Sequence, residues 1–134
     1  MSYEQIKIEA GNKSTKLFDK YHAFFAFNES QLQEAMIKHN IKDKSELVSM
    51  QAGLIAPRVN AKLINDGLVK IHNEQVKAIR EQVEHRKVIL YELNNYECFY
   101  QGDIEDAMPT LSSLGFTREQ VVQVFKHPKQ RGII

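Results

Sequence analysis

Along the chain the apolar positions change period several times, and each change marks an element. Residues 1–12 alternate weakly, with Ile6 and Ile8 flanking Lys7, and end at Gly11-Asn12, a turn signal, so this stretch reads as a flexible arm, frayed or dependent on a partner. From Lys13 the pattern becomes helical, with Leu17, Phe18 and Tyr21 on one face. His22–Phe27 is short and rich in aromatics, which predicts a buried strand. Asn28 and Gln31 have capping-box spacing, and Leu32, Ala35 and Met36, with His39 as a further candidate, supply the inner face of a helix stopping near Asn40. After the polar turn Lys42–Ser45, the runs Leu47–Met50 and Leu54–Ala56 flank a turn containing Gly53, which predicts a hairpin with a bulge or longer loop.

The stretch from Asn60, read as a cap, to about Cys98 carries Leu63, Ile64, Leu68, Ile71, Val76, Ile79, Val83, Leu90 and Leu93 at helical steps. Unbroken, it would exceed about 50 Å, longer than a domain of this size is wide. It therefore breaks, at Gly67 or at His72–Gln75, or it protrudes and needs a partner, most simply a second copy. Asp103 is the expected N-cap of a helix through Ile104, Ala107, Met108 and Leu111, with Pro109 limiting it or lying near its start. Gly115 ends that segment, and Thr117 with Gln120 forms a second capping box ahead of Val121, Val124 and Phe125, with Pro128 as the stop. The whole predicts an α+β fold: a short antiparallel sheet of about three strands packed with four to five helices. It is organised as a flexible arm (1–12), one domain (13–128) and a basic tail (129–134).

Composition adds compartment and narrows the partners. The 134 residues suffice for a core without disulfides, and the single Cys98 fits a reducing cytoplasm. Lys13–Ser14 closes an N-terminal stretch too polar for a signal peptide, and the longest apolar run, Ala23–Phe27, is far below the roughly twenty residues of a membrane span. The formal charge of +1 gives no global field for nucleic acid or anionic membrane, and the long helix mixes Lys70, Lys77, Arg80, Arg86 and Lys87 with Glu74, Glu81 and Glu84, the pattern of a solvated face.

Motif-borne chemistry is missing. No dinucleotide, P-loop, zincin or nucleophile-elbow pattern occurs. No two of the five histidines stand at i, i+3 or i+4, and Glu81 with His85 lacks the second Glu-x-x-His element of a bundle di-metal site, so neither metal nor cofactor is expected. Cys98, between Tyr96 and Phe99, reads as a small buried hydrophobe rather than a nucleophile.

Two stretches carry candidate ligand chemistry. Around Asn95, Tyr96, Glu97 and Tyr100, amides and a carboxylate alternate with aromatics that can stack a base while the amides read its edge, against the plainer reading of core and cap. Near the Gln51-Ala52-Gly53 turn, Arg58 and Lys62 at the entry to the long helix can hold an anion, against the plainer reading of surface charge.

Phe24–Asn28, Leu47–Gly53, Leu90–Cys98 and the acidic start after Gly102 together resemble a family of small uncharacterised proteins of bacteriophages and prophages, over about Leu17 to Phe125. Asn95-Tyr96-Glu97 follows that family's pattern, while Gln51 and Ala52 stand where it has glycine. The family has no established activity, but small phage proteins without catalytic motifs are often inhibitors of host defence. The resemblance therefore implies capture of a small anionic nucleotide-like signal in the pocket of a homo-oligomer, through Arg58, Lys62, Asn95, Tyr96, Glu97 and Tyr100. The alternatives are a protein inhibitor that covers a host effector with its long helix, and a small hydrolase with Glu97 as general base.

Overall fold

In a computed structural model, which describes residues 1–128, the chain opens on a 19-residue helix, α1 (Tyr3–Tyr21). The expected arm is therefore the first half of a helix. Tyr3 and Ile6, one turn apart, are buried together in a hydrophobic cluster, and that burial outweighs the cost of about 1 kcal/mol for placing Gly11 inside a helix. The expected basic tail, 129–134, lies outside the described residues.

The fold is α+β: seven α-helices and one three-stranded antiparallel sheet among the described residues. Its contacts gather into two compact units, Lys7–Glu74, and Met1–Ile6 together with the chain from Gln75 onward.

In the Lys7–Glu74 unit the sheet order is β1 (Phe24–Phe25), β3 (Leu54–Pro57), β2 (Leu47–Gln51). β2 and β3 form the expected hairpin, with Ser49 opposite Ile55, Gln51 opposite Leu54 and a bulge between. Both loop residues, Ala52 (φ 50°) and Gly53 (φ 81°), take the positive φ that a two-residue hairpin turn demands. On one sheet face Ala23, Leu54 and Ala56 pack with Leu17 and Phe18 of α1 and with Ile64 of α3 (Ala61–Gln82). On the other, Phe24, Ala26 and Leu47 pack with Leu32 and Met36 of α2 (Glu29–Lys38), which starts at the expected Asn28 cap. The strand predicted over His22–Phe27 shrinks to two residues at the sheet edge, and Phe25 and Phe27 remain 51% and 72% exposed. An edge strand has only one neighbour to cover its aromatics.

The long helical stretch does break, but at neither expected place. α3 ends at Gln82 and α4 (His85–Asn95) begins after an extended Glu84, so α3 spans about 33 Å. Gly67 stays helical because it serves packing: a Cβ there would lie 2.7 Å from a Leu17 methyl. Glu74 of the polar stretch is 3.6 Å from Lys13. At the actual break the His85 ring nitrogen lies 3.4 Å from the carbonyl of Arg80, one of those left open at the end of α3. Asn60 is also not the expected cap. It closes a 3₁₀ turn, Arg58–Asn60, and its amide donates to the carbonyl of Tyr21 (3.0 Å).

In the other unit α4 packs with α5 (Cys98–Gln101), α6 (Met108–Ser113) and α7 (Arg118–Lys126). Ile79, Val88, Leu93, Cys98, Leu111 and Val121 are its fully buried centre. Asp103 does not cap a helix directly. Its carboxylate accepts from the Glu105 amide (3.0 Å) in a turn, and α6 starts only at Met108, with Pro109 in its first turn. Gly115, at φ 90°, ends α6 as expected, with the Phe116 amide returning to the Leu111 carbonyl at 3.0 Å. The capping box of Thr117 and Gln120 opens α7.

Candidate functional site

The hairpin and the first turns of α3 enclose an open cleft of about 370 Å³ in the Lys7–Glu74 unit. Val48, Met50, Leu54 and Leu68 make its apolar wall, and Gln51, Lys62 and Asn65 supply its polar groups. The strand period explains half of this, since Val48 and Met50 face the α3 side while the bulge shifts Gln51 into opposition with Leu54. Helical spacing explains the rest: Lys62, Asn65 and Leu68 succeed one another at three-residue steps and so share a side of α3. Lys62 holds Asp66 at 3.0 Å, but both side chains are more than half exposed, and such a pair is weak enough to yield its lysine to a competing anion. Among the described residues that line the cleft, Lys62 is the charged one.

Arg58, the other expected anion ligand, is engaged elsewhere in the same unit. Its guanidinium donates to the carbonyls of Leu47 (3.1 Å) and Ser45 (3.4 Å). It thereby fastens the start of β2 to the turn leading into α3.

The four remaining candidates lie in the second unit, at the end of α4 and along α5. Asn95 donates its amide to Glu92 (3.2 Å), and Tyr96 shares a hydrogen bond of 2.7 Å with Thr110. Tyr100 is 92% exposed. Glu97 sits just past the α4 C-cap at φ 56°, the left-handed position where helix ends usually place glycine. The chemically richest group there is not among the expected ligands. Glu92 is a fully buried carboxylate that accepts the hydroxyl of Tyr3, whose own ring meets Tyr91 edge-on at 5.2 Å. Burial, and next the Glu92 carboxylate itself, hold the Tyr3 hydroxyl far above the usual phenol range. The available signal was position: Glu92 falls between Ile89 and Leu93 on the apolar stripe of α4.

Cys98 is completely buried, and burial pushes its thiol upward, away from the thiolate that nucleophilic chemistry needs. Among the described residues no group of three or more His, Cys, Asp or Glu side chains is gathered as a metal centre, and no helix is long and apolar enough to cross a membrane.

No curated protein and no solved structure matches the chain. A family match does cover residues 6–130, which takes in the sheet, the cleft and all four helices after α3. By that match the chain belongs to the family of unknown function DUF7659.

Proposed function

We propose that this protein is a non-catalytic binding protein whose ligand is a small anion of the nucleotide kind, held in the cleft between the β2–β3 hairpin and α3. The observation that carries the reading is the lining of that cleft: one displaceable cation, Lys62, two carboxamides, Gln51 and Asn65, and a wall of Val48, Met50, Leu54 and Leu68. A phosphate needs the first, a base edge needs the second, and a flat ring needs the third. Arg58 supports this site indirectly by fixing the strand that forms its wall. The resemblance to small phage and prophage proteins points to a signalling nucleotide of host defence as the natural ligand.

The test is a titration of the full chain with adenosine and guanosine mononucleotides, their cyclic forms, inorganic phosphate and free nucleosides, followed by NMR of the methionine and leucine methyl groups. Met50, Leu54 and Leu68 should shift, and Lys62→Ala should weaken nucleotide binding about ten-fold or more while leaving nucleoside binding nearly unchanged. Shifts confined to the Asn95–Tyr100 region, or no shift with any of these compounds, overturn the assignment.

A second reading, docking of a host protein, rests on uncovered apolar residues in the 3₁₀ turn before α3 and in its first turn, Val59 (87% exposed) and Leu63 (50% exposed). The break at Gln82–His85 removes the helix length that argued for self-association, and sedimentation velocity decides the oligomeric state.

A further inference from the structure

Five histidines are scattered through the sequence, yet the fold of the Lys7–Glu74 unit brings two of them, 17 positions apart, face to face. The Nδ1 atoms of His22 and His39 are 3.4 Å apart, with the rings nearly perpendicular at 83°. That separation is at the outer limit of a hydrogen bond. It is also the edge of a metal coordination tetrahedron: two nitrogens each about 2.0–2.1 Å from one zinc ion stand about 3.3–3.4 Å from each other.

The backbone holds both rings in place. His22 follows α1 with φ 61°, a left-handed conformation that costs a residue with a Cβ and is usually left to glycine or asparagine. His39 is the C-cap of α2, and its ring stacks on Phe24 at 5.2 Å and 19°, so it is pinned on its apolar side while its Nδ1 faces His22. Each histidine thus stands where a helix ends, and the uncompensated carbonyls of a C-terminus favour a cation. The charges around the pair are mixed. Lys20 and Lys38, in the last turns of the two helices, oppose a cation, and Asp19, one turn before His22, favours it. Lys20 lies over the ring of Tyr21 at 5.3 Å. His22 is exposed and His39 half-buried, so an ion has access and space for water.

We propose that His22 and His39 form a binding site for a divalent transition-metal ion of the zinc, nickel or copper class. Their two Nδ1 atoms are its protein ligands, and water or an anionic ligand fills the open positions. Neutral imidazole suits these ions, whereas magnesium and calcium demand oxygen. A site with two protein ligands and open positions is exchangeable, and it can present the ion to a further ligand. The proposal is independent of the Lys62 cleft.

Isothermal titration of the full chain with Zn²⁺ in a non-chelating buffer, joined to ¹H–¹⁵N spectra of the histidine side chains, tests it. The expected result is one bound ion per chain and perturbation of His22 and His39, with His72, His85 and His127 unmoved. His22→Asn keeps a residue that accepts the left-handed backbone, so it should fold as the parent does and lose at least ten-fold in Zn²⁺ affinity. His39→Gln should lose as much. Mg²⁺ should not bind. The proposal is overturned by absence of Zn²⁺ binding in this titration, since imidazole nitrogens suit this ion. It is equally overturned by binding that both variants leave unchanged, or by perturbation at other histidines only.

Discussion

At the level of single residues, the conformation of Glu97 is the most informative departure from sequence expectation. A carboxylate placed between Tyr96 and Cys98 invites a functional explanation, because packing does not call for it. The structure adds a second departure at the same place, since Glu97 occupies the left-handed position that ends α4. An L-residue there costs roughly 1–2 kcal/mol relative to glycine, part of which glycine returns through its greater freedom when unfolded. Glu97→Gly should therefore stabilise the chain by about 0.5–1 kcal/mol in urea denaturation if the side chain has no other task. An unchanged or lowered midpoint would show that the carboxylate makes interactions that offset its backbone strain. Ala52, at φ 50° in the hairpin turn, has a plainer explanation: the turn needs two positive-φ residues, and only one of them is glycine.

At the level of elements, capping signals hold where they are local. Asn28 with Gln31 and Thr117 with Gln120 stand at the starts of α2 and α7 because each needs only four consecutive residues to satisfy the free amides. Asn60 and Asp103 are also residue types that favour caps, yet neither caps the helix that follows, one donating to Tyr21 and the other closing a turn. The first turn of α1 departs from its local pattern for a related reason. Weak alternation at Ile6 and Ile8 hid a helix whose inner face, Tyr3 and Ile6, is stabilised by residues some 75–90 positions away. That contact carries a pH signature. Burial and then Glu92 raise the Tyr3 hydroxyl above its unfolded value of about 10, so the folded state holds its proton more tightly. The resulting stability is complete below pH about 10 and is lost as pH rises beyond it. Urea midpoints measured at pH 8 and pH 10.5 should fall more steeply for the parent chain than for Tyr3→Phe. At pH 8 that variant should be less stable by about 1–3 kcal/mol, because the buried Glu92 loses a donor.

For the whole molecule, the division of contacts joins Met1–Ile6 to the chain from Gln75 onward, so the first residues complete a core formed mainly by the last third. Burying a tyrosine and an isoleucine is worth about 1.5–3 kcal/mol each. Deleting residues 1–6 should therefore remove about 3–6 kcal/mol, a large share of the 5–15 kcal/mol of an ordinary domain. Denaturation of the shortened chain, followed through tyrosine fluorescence and far-ultraviolet circular dichroism, measures it. A loss below about 1 kcal/mol would mean that the first turn of α1 is dispensable, as an arm would be.

The candidate site divides along the same line. Lys62 and its neighbourhood were legible because Lys62, Gln51 and the hairpin turn are close in sequence, although Asn65 and the Met50–Leu68 wall emerged only once the bulge and α3 were in place. Arg58 carried the right charge at the right approach, but the carbonyls of Ser45 and Leu47 engage it, and nothing in its local sequence announces them. Spacing along one helix does not reveal His22 and His39 as a pair, because they stand at the ends of two helices joined through a strand. The sequence by itself determined what short-range physics controls: the α+β class, the hairpin and its turn, the Asn28 N-cap, the capping box of Thr117 and Gln120, the glycine stop after α6 and the burial of Cys98. Tertiary structure alone decided the extent of α1, the break between α3 and α4, the burial of Glu92 and the meeting of the two histidines. Each of these depends on a partner supplied from a distant part of the chain, and the free energy of such contacts leaves no period in the sequence.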